Sequence, residues 1–352
     1  MDPEKAHHLV IDGLAMGSKL PGTLAIMNGM YGVKPSPELK SNVLGLTFEH
    51  PVGLAAGLDK NGVSTDGFSN IGFSFAEVGT VTPKAQLGND QPRLFRLPPD
   101  EALINRMGFN NEGAEAMSRS LQRRKQHKMP IAVNIGKNKI TANELAHEDY
   151  CSCIRTLYDD GDFFVVNISS PNTQGLRELQ HGNELHNLLV HVCEEMDIQA
   201  RKRNAPAKPI FVKIAPDMSD EQLEHTVATI QNSQISGIIA TNTTLSRDGL
   251  IHQNQGETGG LSGVPLRDRS TEIIRKVYQL TNGNLPIIGS GGIFTAQDAY
   301  DKIRAGASLV EIYTALIYRG PEVLRELTDG LKECLRKDGF SNIVEAIGAD
   351  HR

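Results

Sequence analysis

Phe163-Phe-Val-Val-Asn-Ile-Ser-Ser-Pro-Asn-Thr173 is the stretch whose reading decides the fold. Its first part, Phe163 to Val166, is an unbroken apolar run of strand length. Strands buried on both faces read this way, whereas a half-solvated strand alternates. Its second part packs amides and hydroxyls into a turn that Pro171 stiffens. Such a strand end suits a polar planar molecule, because an amide both donates and accepts. Ser170 adds a hydroxyl where a proton could leave that molecule.

The same grammar repeats outward in both directions. Candidate strands are Val52–Ala56, Phe75–Gly79, Ile131–Ile135, Phe163–Ile168, Ile210–Ile214, Gly237–Thr241, Pro286–Gly289 and Leu309–Tyr313. Amphipathic stretches lie between most of them: Gly113–Lys128, Ala142–Tyr158, Asn183–Arg203, Asp220–Ser233, Asp268–Leu280 and Ala296–Ala305. Eight apolar strands with helical crossovers predict a (β/α)8 TIM barrel of α/β class. An open doubly wound sheet is the competing reading. It would carry a dinucleotide fingerprint near the first turn, and Gly53-Leu-Ala-Ala-Gly57-Leu-Asp-Lys60 does not have the G-x-G-x-x-G spacing. Two regions fall outside the alternation: residues 1–40, and a long insertion at 83–112 that reads as a lid over the barrel mouth.

Bulk properties exclude several function classes. The chain has 352 residues and a net charge of −6, which disfavours a general nucleic-acid surface. Its four cysteines (Cys151, Cys153, Cys193, Cys334) form no C-x-x-C pair and read as ordinary thiols in a reducing compartment. No apolar run reaches the roughly 20 residues needed to span a bilayer. A helix is expected over Pro3–Met16, with Asp2 as its cap, Pro3 in its first turn and Gly17 at its end. So abrupt a start suggests that upstream sequence has been removed.

In a barrel the C-terminal strand ends converge on one site. Here they carry Gly57, Asp59, Lys60 and Asn61; Gly79, Thr80 and Thr82; Asn134, Lys137 and Asn138; then Asn167, Ser169, Ser170, Asn172 and Thr173. Lys213 follows, then Thr241 to Thr244, Ser290 to Gly292, and Tyr313 with Thr314. The set is rich in amides and lysines and poor in His, Cys and carboxylates. It therefore lacks the clusters of a metal hydrolase or a paired-carboxylate glycosidase. Lys213 sits inside the apolar run Ile210–Ala215, so it is expected to point into the barrel mouth and to need an anionic partner. Glycines after strands seven and eight, with Gly259–Gly263, fit a backbone phosphate cradle. Taken one at a time, each of these residues is equally well a cap, a turn or a solvated side chain.

Taken together they resemble the dihydroorotate dehydrogenases, and specifically the class 2 enzymes. The resemblance is carried by Gly53–Lys60, Glu77–Pro83, Ile104–Asn110, Asn134–Lys139, Asn167–Thr173, Thr241–Thr244 and Glu257–Gly263, in order along nearly the whole chain. It implies non-covalent FMN, one per chain, oxidation of dihydroorotate to orotate in pyrimidine synthesis, and a quinone as final acceptor. It further implies that Ser170 is the base, supported by Thr173 and Phe109. Lys60, Asn105, Asn110, Asn167, Asn172, Asn242 and Thr243 would hold substrate. FMN would be held by Ala56, Gly57, Lys60, Thr80, Asn134, Asn167, Lys213, Thr241, Ser262, Gly263, Gly291, Gly292, Tyr313 and Thr314, and no metal is implied. Serine at 170, where class 1 relatives look to carry cysteine, favours the quinone-linked class. A different FMN barrel oxidoreductase and a non-catalytic metabolite-binding barrel are the competing readings.

The resemblance also assigns residues 1–40 to a membrane-associating segment that forms a quinone tunnel, and 41–352 to the catalytic barrel. His7, Arg96 and Tyr313 match positions on the quinone path. Leu9, Val10 and Leu14 would form the apolar side of the first helix. A monomer on the mitochondrial inner membrane is expected, with a bacterial cytoplasmic membrane as the alternative.

Overall fold

A computed structural model describes residues 2–126 and 129–352. Eight strands close into a parallel barrel: β1 (Val52–Leu54), β2 (Ala76–Val81), β3 (Ile131–Ile135), β4 (Phe163–Asn167), β5 (Ile210–Ile214), β6 (Gly237–Ala240), β7 (Ile287–Ser290) and β8 (Leu309–Ile312). Closure is made where Val310, Glu311 and Ile312 pair with Val52, Gly53 and Leu54. The (β/α)8 expectation is thus met, and the open sheet is excluded.

The period of two along a strand explains how the barrel is filled. Phe75, Ala132, Phe163, Val165, Phe211, Ile239, Ile288 and Leu309 form one apolar cluster, joined by Val43 and Phe48 from a small antiparallel pair before β1. Two phenylalanines take space that neighbouring strands leave open. A Cβ on Gly53 would lie 2.3 Å from the Phe75 ring, and one on Gly237 would lie 2.3 Å from the Phe211 ring. Two residues further along the strands the same face becomes polar: Glu77, Asn134, Asn167, Lys213, Thr241, Ser290 and Glu311. Alternation therefore lays a polar layer directly on an apolar one.

Helices cover the outside, with bounds that shift from the sequence reading. The stretch expected as Gly113–Lys128 is helical only over Ala114–Leu121, where the buried Ala114, Met117 and Leu121 recur at helical spacing. Its last residues, His127 and Lys128, lie outside the described residues. Asn143–Leu145 forms a 3-10 turn ahead of helix Ala146–Leu157. Helix Val323–Asp338 was missed, although Val323, Leu324, Leu327, Leu331 and Leu335 recur at helical spacing and are all buried.

The insertion at 83–112 folds over the C-terminal mouth as a hairpin, Leu94–Leu97 with Ala102–Asn105. A third strand, Gly260–Gly263, pairs with it through Asn105↔Gly260 and Ser262↔Leu103. Gly260–Gly263, expected in a phosphate cradle, is thus a strand rather than a turn, and its Ser262 and Gly263 line the cavity. Its glycines answer to close packing instead. A Cβ on Gly260 would lie 2.0 Å from Thr243 Oγ1, and one on Gly263 would lie 2.2 Å from the Glu101 carbonyl.

Two helices precede the barrel, α1 (Pro3–Gly17) and α2 (Thr23–Tyr31). Asp2 caps α1 as expected, its carboxylate accepting from the Lys5 amide at 2.9 Å. The expected apolar side of α1 splits. Ile11 is buried and Leu14 packs on the core, while Leu9 and Val10 are exposed. Ser64 Oγ donates to the Ile11 carbonyl at 2.9 Å. Glu4, nearly buried, takes a guanidinium nitrogen of Arg93 at 2.7 Å, and Arg93 also donates to the carbonyls of Leu87 and Asn89. This pair ties α1 to the lid. Helix α2 buries none of its residues. Among the described residues no helix is long and apolar enough to cross a membrane.

Candidate active site

Strand ends and lid enclose a cavity that, with its mouth, holds about 1060 Å³ of empty space. Its floor is the polar layer. Lys213 Nζ donates to Glu77 Oε2 at 2.6 Å and approaches Glu311 Oε2 at 3.4 Å, all three side chains being buried. Glu77 also accepts from the Ala56 amide at 2.9 Å and from Asn134 Nδ2 at 2.6 Å. Burial alone would lower the Lys213 ammonium, but the charges of Glu311 and Glu77 outweigh it and raise the group. Burial, followed by the charge of Glu77, pushes the Glu311 carboxyl well above the usual range.

Above the floor lies a chain of amides. Asn167 Nδ2 donates to Thr80 Oγ1 at 2.9 Å and to Asn134 Oδ1 at 3.2 Å. Asn242 Nδ2 reaches Asn167 Oδ1 at 3.3 Å and Ser169 Oγ at 2.9 Å. Asn172 Nδ2 donates to Asn105 Oδ1 at 3.2 Å. Ser170 is buried, lines the cavity and accepts the Asn172 amide at 3.3 Å. The lid contributes Asn105, Phe109 and Asn110 to the lining. Phe109 holds φ at +55°, a left-handed conformation uncommon for an aromatic residue.

At one edge Lys60 Nζ lies 3.4 Å from His7 Nε2 of α1. Burial brings the Lys60 ammonium down to about 8, against the pull of Glu4. The same burial, then the Lys60 charge, drives His7 down to about 3, so its imidazole stays neutral. At the other edge Ser262 Oγ lies 2.8 Å from Thr314 Oγ1, and Gly291 and Gly292 turn with φ of +121° and +69°. A Cβ on Gly292 would lie 2.4 Å from Arg267 Cα, so only glycine lets this turn sit on the next helix. Burial keeps the Tyr313 hydroxyl protonated, pushed up to about 12.

Most of the expected residues meet here. Ala56, Gly57, Lys60, Thr80, Asn105, Phe109, Asn110, Asn167, Ser170, Asn172, Lys213, Thr241, Asn242, Thr243, Ser262, Gly263, Gly291, Gly292, Tyr313 and Thr314 all line the cavity. Four do not: Asn134 stands behind Asn167, Thr173 is buried outside the lining, His7 stands behind Lys60, and Arg96 is exposed on the lid hairpin. Several other strand-end groups serve the scaffold. Asp59 accepts the amides of Val63 and Ser64, Lys137 donates to the Thr141 carbonyl, and Asn138 fastens the lid through Lys84 and Gln86. Sequence reading missed the two carboxylates. The anionic partner Lys213 required is supplied by Glu77 and Glu311, each inside an apolar strand as Lys213 itself is. Among the described residues no His, Cys, Asp or Glu cluster could hold a metal ion.

The sequence model of the dihydroorotate dehydrogenase family matches residues 38–335. A curated relative from Deinococcus deserti, a dihydroorotate dehydrogenase (quinone), is 52% identical over 99% of this chain and 96% of its own length. One from Deinococcus radiodurans, of the same name, is 49% identical over the same shares. A solved structure of DHODH from Eimeria tenella in complex with ferulenol superposes with a TM-score of 0.91 at 42% identity, covering 100% of this chain and 96% of that one. The two curated relatives are bacterial and lend no support to the mitochondrial expectation. By sequence and by fold, the chain belongs to the dihydroorotate dehydrogenase family.

Proposed function

We propose that the chain oxidises dihydroorotate to orotate with FMN as hydride acceptor and a quinone as final electron acceptor. The observation that carries this reading is one cavity with two chemistries: a buried ammonium–carboxylate floor, and a rim of neutral amides beside the buried hydroxyl of Ser170. Two buried oxygens in the lining, Asn110 Oδ1 and Glu311 Oε1, have no partner among the described residues. Orphaned acceptors of this kind fit a ligand that brings its own hydrogen-bonding edge. The residues therefore suit a flavin and a pyrimidine bound together.

In this reading Ser170 Oγ takes the C5 proton of dihydroorotate while the C6 hydrogen leaves as hydride. Bound FMN supplies the acceptor for that hydride. Lys60 binds the substrate carboxylate. Asn105, Asn110, Asn167, Asn172, Asn242 and Thr243 hold the ring edges, and because amides are neutral they do so without fixing a charge in the cavity. Thr173 and Phe109 support the base, Phe109 by closing the lid side. A serine hydroxyl is a weak base and depends on its surroundings; the lid supports it by excluding water. Lys213 gives fixed positive potential where negative charge develops, which needs no reorganisation during reaction. Ala56, Gly57, Thr80, Asn134, Thr241, Ser262, Gly263, Gly291, Gly292, Tyr313 and Thr314 hold the cofactor. His7, Arg96 and Tyr313 border the quinone path.

We further propose that the protein works as a monomer on a bacterial membrane surface, with the exposed Leu9, Val10, Ile26 and Met30 of α1 and α2 as the contact. The test is bleaching of the bound flavin by dihydroorotate, followed by reoxidation with a soluble quinone, fumarate or NAD. Bleaching with recovery by quinone is expected. Recovery with fumarate or NAD alone, or colourless protein that takes up no flavin, would overturn the reading.

A further inference from the structure

The cavity floor holds one cation and two carboxylates, and the two are not equivalent. Glu77 accepts three hydrogen bonds, from Ala56, Asn134 and Lys213, at 2.6 to 2.9 Å. Both of its oxygens therefore have donors at short range. Glu311 has a long contact to Lys213, at 3.4 Å through Oε2, and lies within hydrogen-bonding reach of the Glu77 carboxylate, while its fully buried Oε1 has no partner among the described residues. An ionised carboxylate in that state would be a buried charge without adequate pairing. With both glutamates ionised the floor would carry one net negative charge; with one protonated it is neutral.

Among the described residues the surroundings offer Glu311 no other counter-charge. Its strand neighbours in register are Gly53 and Ser290, neither of them titratable. The charged groups facing it are Lys213 from β5 and Glu77 from β2. Tyr313, just past the end of β8, stays a neutral phenol.

We propose that Glu311 is a neutral carboxylic acid in the resting protein and that it donates a hydrogen bond from its uncommitted oxygen to an acceptor on the ring bound in this cavity. Glu311 is therefore a cofactor-contacting residue, distinct from the ion pair of Lys213 with Glu77. Burial and the adjacent Glu77 charge both favour its protonated form. Placing the acid rather than the carboxylate beside an electron-accepting ring spares that ring a second repulsive charge. The inference rests on the flavin reading for the identity of the ring, and on the floor geometry alone for the protonation.

The test is infrared spectroscopy of the purified protein with and without its flavin, alongside Glu311→Gln and protein labelled with carboxyl-13C glutamate. The expected result is a protonated-carboxyl C=O band that shifts on labelling, disappears in Glu311→Gln, and moves to lower frequency when flavin is bound. No such band in the wild-type protein, or a band that survives Glu311→Gln, would overturn the protonation. A band that does not move with flavin would overturn the hydrogen bond. Flavin affinity supplies a second readout. Glu311→Gln, whose amide can still donate, should bind within a few-fold of wild type, and Glu311→Leu should bind at least about tenfold more weakly. Equal affinity of the two variants would also overturn the contact. If the protein takes up no flavin at all, the functional reading fails, while the band still decides the protonation state.

Discussion

The floor and the lid of the cavity are built on opposite plans. The floor stands on barrel strands and is fixed by charge: Lys213, Glu77 and Glu311 come from β5, β2 and β8, far apart in sequence and locked by closure. The lid is a loop insertion that reaches the site through neutral contacts, its charged pairs, Arg93–Glu4 and Arg106–Glu257, running to other segments. Gln86 donates to the carbonyls of Gly108 and Phe109, and Asn89 donates to those of Arg106 and Asn172. A group that stays bound needs a constant electrostatic environment. A substrate that must enter and leave needs a cover that opens at modest cost. Floor variants should therefore damage stability and flavin retention, and lid variants should raise KM.

The largest effect belongs to the residue where the two regions meet. Ser170→Ala should lower kcat by about 10²–10⁴-fold, as loss of a proton-transfer group does, while keeping the flavin absorbance. Unchanged turnover would remove Ser170 from the chemistry. Lys213→Met should destabilise the protein by about 3–5 kcal/mol, because it leaves Glu77 buried without its cation. Denaturant unfolding and the flavin content after purification would read this, and wild-type values for both would break the contrast. Asn89→Ala, in the lid, should cost only about 1 kcal/mol and raise the KM for dihydroorotate more than it lowers kcat. A larger loss of stability than in Lys213→Met would reverse the comparison.

A smaller effect concerns pH. Lys60 is depressed from its ordinary value to about 8. It is charged below that pH and neutral above it, so attraction for a substrate carboxylate fades as pH rises through this range. The kcat/KM for dihydroorotate should fall on the alkaline side, and Lys60→Gln should flatten that limb. An alkaline limb that persists in the variant would assign the titration elsewhere.

How far this was legible in the sequence follows the same division. Apolar runs such as Phe163–Val166 exposed the strands, because a covered parallel sheet leaves no other pattern. The amides at their ends exposed the rim of the site. Lys213 was legible as an anomaly inside an apolar run, and Glu77 and Glu311 were anomalies of the same kind. Their role stays hidden because it is their meeting with Lys213, across strands β2, β5 and β8, that defines it, and no local pattern carries that pairing. The lid strand Gly260–Gly263 was hidden for another reason. Its glycines are set by contacts with Thr243 and Glu101, and such long-range crowding leaves the same local signature as a tight turn. Helix α2 lacks a buried stripe, so no periodicity marked it.

The pairing of Glu4 with Arg93 makes α1 a mechanical part of the roof. The guanidinium that binds Glu4 also holds the carbonyls of Leu87 and Asn89, and Asn89 reaches the Asn172 carbonyl in the turn that carries Ser170. Whatever the exposed face of α1 rests against is thus linked to the turn of the proposed base through three side chains, Glu4, Arg93 and Asn89. A push on that helix has a short covalent and hydrogen-bonded route to the place where the substrate would lose its proton.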